Sequence, residues 1–441
     1  MSLIENLQID LLKRIKIFFS NYKKKKDIVS SLDYFYFCPY GDFKGTSRLI
    51  FFFNKILAIK IYIIASIKDF YNLLKIGKFS ILNYNKNYQY KTIVVNWGKL
   101  NDFDTKGNFY DKHFNVKSYC CPNTLWVIVY LDNKIPNNIA NNIALIIKEK
   151  KIFNFKKIID ILLTSIFKKK NINFINQEFS YSSILSNFFL DKTDNFLNKN
   201  IKKIIMPYEG QPFQNSIISR AHDYSNKIET VGYIHSFPSG LPSNYVKRYG
   251  SPKKIIVTSL AQKFCFNHHL GWKSNKIKIL PSSRYLKNNK IDMRNKIYLP
   301  IYFSNKKLIL SSIKKIILKE KINMKNFVIK NHPHCLQSKK HNAIIQDIKE
   351  IITKNSFLKK NDKNDYSIFI GATASVIEAL ERNTNVYHIC ENPILESYNK
   401  KIWKYINSYS IDSNIFKYTI QKKNKLINLG KSINLYKTYF N

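Results

Sequence analysis

The sequence predicts an α/β protein built of two Rossmann-like domains facing across a cleft. Three observations carry the prediction. Short apolar runs alternate with helical stretches, the alternation starts again past the middle of the chain, and the turn-forming residues gather between the two series. Of 12 glycines and 12 prolines, five glycines and six prolines lie between Pro207 and Pro281. These residues set turns and let backbone come close to a ligand or a neighbouring segment, so this stretch is the loop-rich centre. A boundary near Gly240 to Pro252 gives an N-terminal domain at 1–250, a C-terminal domain at 251–405 and a basic tail at 406–441 that can pack back on the first half.

In the first series, strands are expected at 33–38, 92–96 and 125–131, and helices at 138–149 and 155–167. A strand at 201–206 then runs into Pro207-Tyr208-Glu209-Gly210, followed by a helix at 213–224 and a strand at 229–235. The second series has strands at 254–259, 276–280, 296–303, 327–330, 366–370 and 385–389. Helices at 261–270, 306–319 and 341–353, and one starting at Ser375, separate them.

With 441 residues, 45% of them hydrophobic and 15% aromatic, the chain can bury a large core and is not a disordered protein. Its 73 basic residues against 29 acidic ones give a net charge of +44, which attracts polyanions without choosing among anionic lipid, nucleic acid and nucleotide-linked substrates. Only seven of the basic residues are arginines, and Arg220, Arg248 and Arg284 fall in one central stretch. The planar guanidinium fork suits phosphate and carboxylate, although solvated surface is the plainer reading of each.

The six cysteines are scattered without the paired spacing of a zinc site or a disulfide scaffold, which fits a reducing, cytoplasmic compartment. No cleavable signal peptide is expected, and Lys55 and Lys60 inside the apolar stretch 49–67 argue against a membrane span there. Ile4, Leu7, Leu11 and Ile15 recur at helical spacing beside Lys13, Arg14 and Lys16. Two readings fit that pattern: a helix lying on the anionic inner membrane, or an amphipathic helix packed on its own domain.

Ligands of parallel sheets bind beyond the carboxyl ends of the strands, which singles out four segments. Glu209 follows a strand and precedes Gly210; a carboxylate there is suited to take a proton from a hydroxyl nucleophile, or it is a surface acid at a helix start. His332, Pro333 and His334 follow another strand, where imidazole can meet a phosphate or simply bond to the turn's backbone. As metal ligands this pair lacks a third partner at suitable spacing. From Gly371 the chain makes a small-residue turn into a helix, and Thr373, Ser375 and free amides offer a phosphate seat, with Glu378 within reach of a ribose. Ser375-Val-Ile-Glu378 equally fits a capping box. His235 and Ser236, in the loop beyond the strand at 229–235, line the cleft or form a hinge.

No phosphate-binding P-loop, no Gly-x-Ser-x-Gly and no His-Glu-x-x-His is present. The order acid-Gly, His-Pro and Ser/Thr resembles bacterial sialyltransferases and related capsule or lipopolysaccharide transferases. Tyr208-Glu209-Gly210-Gln211-Pro212-Phe213, with the later Gly232-Tyr-Ile-His235-Ser236, is also similar to surface-carbohydrate biosynthesis proteins. The similarity spans about residues 200–395. It departs from the family pattern at Tyr208, where a second acid would stand, and at Thr373-Ala-Ser375, in place of adjacent hydroxyls.

The resemblance implies a GT-B fold and an inverting, metal-independent glycosyltransferase. It makes Glu209 the base and His332 a contact of the donor phosphate, and it gives Pro333, His334, Gly371, Thr373, Ser375 and Glu378 to the donor. Gly210, Gln211, His235, Ser236 and Arg220 fall on the acceptor or cleft side. The implied substrates are a nucleotide-activated sugar, with a CMP-linked acidic sugar as one form, and a glycan or lipid-linked acceptor. No cofactor, no metal and no specific nucleic acid are expected. A CDP-glycerol-type polyol-phosphate transferase, and a basic nucleic-acid-binding or scaffold protein, are the alternatives.

Overall fold

Two large sheets organise the described residues, and the strand order of each decides where a ligand can sit. The computed structural model describes residues 2–21, 78–84, 89–149, 181–286, 291–355 and 366–430. The expected elements at 33–38 and 155–167 and the apolar stretch 49–67 lie outside the described residues.

The first sheet consists of β1 (Lys78–Leu82), β2 (Thr92–Gly98), β3 (Thr124–Tyr130), β4 (Ile143–Glu149), β5 (Lys203–Pro207), β6 (Glu229–Tyr233), β7 (Lys254–Val257) and β8 (Ile277–Ile279). Its spatial order is β1-β4-β3-β2-β5-β6-β7-β8, and every pair is parallel except β1 with β4. From β4 to β7 this is the doubly wound order of a Rossmann sheet, and the direction of winding reverses between β2 and β5.

The second sheet contains β9 (Lys296–Tyr298), β10 (Val328–Lys330), β11 (Tyr366–Ile370), β12 (Asn385–Ile389), β13 (Ile406–Asp412) and β14 (Ile415–Ile420). Its order is β10-β9-β11-β12-β14-β13, parallel through β12 and closed by an antiparallel hairpin. Here the winding reverses between β9 and β11. The fold is therefore α/β, with two Rossmann-like units.

Three sequence expectations are corrected. Residues 143–149 form strand β4, not part of a helix, because Ile143-Ala-Leu-Ile is buried along its whole length beside β3. A strand covered on both faces shows a continuous apolar run, with no alternation to set it apart from a buried helix. The change of sheet falls between Ile279 and Lys296, well past residue 250, since β7 and β8 extend the first sheet. Strands β13 and β14 belong to the second sheet, so the expected tail begins inside it; beyond them, the Asn428 amide and carbonyl bond Thr258 and Ser282 of the first unit.

Among the described residues eight helices flank the sheets: α1 (Ser2–Asn21), α2 (Tyr181–Lys192), α3 (Pro212–Tyr224), α4 (Leu260–His268), α5 (Lys306–Glu320), α6 (Lys339–Lys354), α7 (Ser375–Glu381) and α8 (Pro393–Glu396). Helix α1 buries Leu11, Leu12, Ile15 and Phe19 in the protein's core. The Gln8 amide donates to the carbonyls of Ile394 (2.8 Å) and Ser397 (2.9 Å), and Asn399 Nδ2 donates to Glu5 O (3.1 Å). Of the two readings of this helix, the structure shows the packed one. No helix among the described residues is long and apolar enough to cross a membrane.

The loop after β6 is not a loose hinge. Leu241 N bonds Leu395 O (3.0 Å), and Trp403 Nε1 bonds Gly240 O (2.7 Å). The Tyr398 hydroxyl lies 3.2 Å from both Pro238 O and Thr373 O, so the loops beyond β6 and β11 meet at one side chain. The glycine and prolines at 238–242 serve this close docking, which is why their density marks a contact between units and not a linker.

Candidate functional site

Glu209 leaves β5 at the point where the first sheet reverses its winding, between β2 and β5, which is where a crevice opens in such sheets. The turn that carries it is held from several sides. Gln214 Oε1 accepts from the amides of Glu209 (3.0 Å) and Gln211 (3.1 Å), while its Nε2 donates to Pro207 O (2.6 Å). Gly210 has φ +71, and a Cβ there would lie 2.1 Å from Asn244 O, so only glycine fits. Arg248 is buried beneath the turn, donates to Gly210 O (2.6 Å) and stacks on Phe19. Pro212 opens α3 directly behind it.

The carboxylate itself is half-buried. Desolvation raises its pKa from the ordinary value, against the Gln211 Nε2 donor at 2.8 Å and the charge of Arg284, which both favour the ionised form. His235 Nε2 stands 3.6 Å from Glu209 Oε1. His235 is buried, its Nδ1 has no hydrogen-bond partner among the described residues, and burial together with His113 and Arg284 holds its pKa well below normal.

Behind His235 the structure reveals a group that the sequence reading missed. The ring of His113 sits edge to face against His235 at a centroid distance of 4.3 Å. Burial, and then Arg284, lower its pKa to about 4. Asp111 is fully buried with its pKa raised to about 6 by desolvation, and Asn96 Nδ2 (2.6 Å) and the amides of His113 (2.8 Å) and Phe114 (3.0 Å) donate to it. Asn96 lies on β2, so the reversal point brings Asn96, Asp111, His113, His235 and Glu209 into one row. The signal available in the sequence was a polar Asn96 inside an apolar strand and an Asp-x-His in a turn-rich stretch.

The three central arginines part company. Arg220 pairs with Asp194 and lies on α3 eight residues past Pro212, about 12 Å along the helix. Arg248 is structural, as described above. Arg284 alone is exposed beside the row: its guanidinium stacks on Tyr285 (5.5 Å), has no hydrogen-bond partner among the described residues, and depresses the pKa values of Glu209, His235 and His113. It projects from a short strand, Ser282–Leu286, that pairs with Leu429–Gly430. The Ser283 hydroxyl beside it donates to His113 O (2.7 Å).

On the second sheet, Gly371 (φ +68) follows β11 at that sheet's own reversal point. Thr373 Oγ1 accepts from Ser375 N (3.2 Å), which closes the turn and occupies one of the amides that the sequence offered to a phosphate. The expected capping box does not form, because Ala374 is the N-cap and Ser375 is already the first helical residue. Glu378 pairs with Arg382 one turn on (3.0 Å), and Arg382 also reaches Leu286 O (3.3 Å), two residues beyond Arg284. This ties α7 to the Arg284 strand.

His332, Pro333 and His334 stand at the end of edge strand β10, with β9 between them and β11, so about 10 Å of sheet separates the His332 turn from Gly371. The His332 amide bonds Asn331 Oδ1 (2.9 Å), and Cys335 N bonds His332 O (2.8 Å). Ser236 is half-buried beside His235, and its carbonyl faces Gln262 Nε2 at 3.5 Å. Among the described residues, one group of potential metal ligands stands close together: His388, Cys390 and Glu396.

Fold and site together define a two-unit α/β protein whose strand-end loops carry a carboxylate, two imidazoles and an arginine at one sheet's reversal point and a hydroxyl-bearing turn at the other's. The chain is similar to a glycosyltransferase from Rickettsia africae ESF-5, with a TM-score of 0.33 and 11% identity over 70% of this chain and 86% of that one. It is also similar to the UDP-GlcNAc 2-epimerase of Neisseria meningitidis bound to UDP-GlcNAc, with a TM-score of 0.32 and 9% identity over 68% and 83% of the two chains. No family model and no curated protein matches it.

Proposed function

We propose that this chain is a GT-B-type glycosyltransferase that moves a sugar from a nucleotide-activated donor to a hydroxyl acceptor, inverting and without a metal in the transfer step. The observation that carries the reading is Glu209, a half-buried carboxylate with a raised pKa, held at the reversal point of a Rossmann sheet beside a buried neutral histidine and an arginine with no anionic partner among the described residues. A carboxylate whose pKa burial brings closer to the working pH is better matched to accept the acceptor's hydroxyl proton than a solvated one. The acceptor oxygen attacks the anomeric carbon on the face opposite the leaving group. The bond from that carbon to the phosphate oxygen breaks, and its electron pair leaves on the phosphate. Arg284, with the Thr373 and Ser375 turn, meets the charge that develops there.

His235 and His113 act as neutral walls, keeping a second positive charge away from Glu209 and so leaving it basic. Surface polysaccharide, capsule or lipopolysaccharide, is the product class we assign, with a glycan or lipid-linked acceptor. The reading places the protein in the cytoplasm, its excess of lysines favouring contact with the anionic inner membrane. The test is a panel of nucleotide donors, CMP-, UDP- and GDP-linked sugars with CDP-glycerol among them, screened for thermal protection of the full chain and then for transfer. Protection by a sugar nucleotide that Arg284→Gln weakens supports the reading. Protection by none, or by CDP-glycerol alone, overturns it.

A further inference from the structure

Strand β12 ends in His388-Ile389 and Cys390 follows directly, so extended backbone sets the side chains at 388 and 390 on one side. Both residues are fully buried. Helix α8 then brings Glu396 against them, and one ligand atom from each of the three residues lies within 4.8 Å of the other two. Some point then lies within about 2.8 Å of all three atoms, so a small tightening brings them to zinc-ligand distance.

Two details of the cluster match a metal centre. Cys390 Sγ lies 3.5 Å from His388 Nδ1. With zinc bonds of about 2.3 Å to sulfur and 2.0–2.1 Å to nitrogen, a tetrahedral angle spans an S···N edge of about 3.5 Å. The other ring nitrogen, Nε2, donates to Gly371 O at 2.7 Å. A ligating histidine commonly donates its second N–H to a backbone carbonyl or carboxylate in this way, which fixes the tautomer and leaves Nδ1 free for the ion. Glu396 is held similarly: its carboxylate accepts from Glu391 N (2.9 Å) and faces the Asn392 amide. The rings of Tyr398 and Tyr418, 6.2 and 5.8 Å from the imidazole, wall off the far side.

We infer that His388 Nδ1, Cys390 Sγ and Glu396 bind one zinc ion, with water in the fourth position. A thiolate and a carboxylate cancel the ion's double charge, so the buried centre is neutral, and a thiolate with an imidazole selects zinc over magnesium or calcium. Because His388 also holds Gly371 O, the ion braces the Thr373 turn from behind and takes no part in sugar transfer.

The experiment uses the full chain with zinc or cobalt as the only probe. Expected are one equivalent of zinc retained after gel filtration and, on cobalt replacement, a thiolate-to-cobalt charge-transfer band with tetrahedral visible absorption. Cys390→Ser and His388→Gln should lower zinc affinity by more than about 100-fold, since even second-shell changes cost 10–100-fold. The exposed Cys120 is the control, and Cys120→Ser should keep both zinc and band. A wild-type chain that takes up no zinc, a cobalt spectrum without the thiolate band, or undiminished binding in Cys390→Ser overturns the site. If the variants fail to fold, the wild-type cobalt spectrum alone decides. None of these readouts needs a sugar substrate, so they stand or fall apart from the transferase reading.

Discussion

The imidazoles of His113 and His235 meet edge to face at 4.3 Å, and both are held neutral by burial and by the nearby charge of Arg284. This pairing decides the electrostatics of the site. Protonation of either ring would set a buried cation against the other ring and against Arg284, so His235 faces Glu209 as a dipole and not as a counter-ion. Burial raises the pKa of Asp111 to about 6, and burial with the charge of Arg284 lowers that of His113 to about 4.

That division predicts a change in acid stability. Asp111 has an ordinary value of 3.8 and a folded one of about 6, so its contribution is complete below 3.8 and is lost as pH rises through 6. His113 has an ordinary value of 6.5 and a folded one of about 4, so its contribution is complete above 6.5 and is lost as pH falls toward 4. The two slopes oppose each other over nearly the same range. Asp111→Asn removes the first and leaves the second, and the variant should lose about 3 kcal/mol more than wild type between pH 6 and pH 4. Urea titrations of both proteins across that range check it, and parallel pH dependences would contradict the assignment.

Glu209→Gln should lower kcat by about 10²–10⁴-fold while leaving thermal protection by the donor intact, as loss of a general base does. Gln211→Ala tests the same residue more finely. Its Nε2 donates to Glu209 Oε2 at 2.8 Å and stabilises the ionised form, so removing it should raise the carboxyl pKa and move the acid limb of the kcat/KM profile to higher pH. An unmoved limb means that another group sets it.

Much of this was legible in the sequence, and what was not has physical causes. Strand β5, the turn at Glu209 and Gly210, and strands β11 and β12 announce themselves, because an apolar run ending in Gly, or in small hydroxyl residues, has few other structural uses. Strand β4 hid behind its own burial. Asp111 and His113 escaped because their role depends on a contact between β2 and a turn 15 residues later, which no local pattern encodes. Arg220, Arg248 and Arg284 look alike as letters and differ in whether Asp194, a backbone carbonyl or, among the described residues, only the Tyr285 ring meets the guanidinium.

Arg284 is therefore a residue whose loss should alter binding with little effect on folding. It is exposed, and among the described residues its guanidinium has no hydrogen-bond partner. Arg284→Gln should raise the donor KM about tenfold or more, since a charge-assisted contact to phosphate contributes about 1.5–3 kcal/mol, and should shift the melting temperature little. Arg284→Lys should recover only part of the loss, because a point charge lacks the fork. Equal KM values for all three proteins would remove Arg284 from the donor site.

The docking of the two units can be probed at Gly240. A Cβ at this position would lie 2.3 Å from Ser397 O and 2.5 Å from Glu396 O, both backbone atoms that no rotamer change can move. Gly240→Ala must therefore push the loop beyond β6 off residues 395–398, straining the Leu241 amide bond to Leu395 O and the Trp403 bond to Gly240 O. The same displacement separates Pro238 from Tyr398, and with it the two strand-end loops that Tyr398 joins. A cost of about 2 kcal/mol or more is expected, typical of overpacking against fixed atoms. Because His235 lies on the displaced loop, kcat should fall together with stability. Tyr398→Phe gives the milder counterpart, removing only the shared hydroxyl at a cost of about 1 kcal/mol. Melting temperatures and transfer rates of both variants, read side by side, distinguish a docked loop from a free one: a free loop would leave Gly240→Ala as stable and as active as wild type.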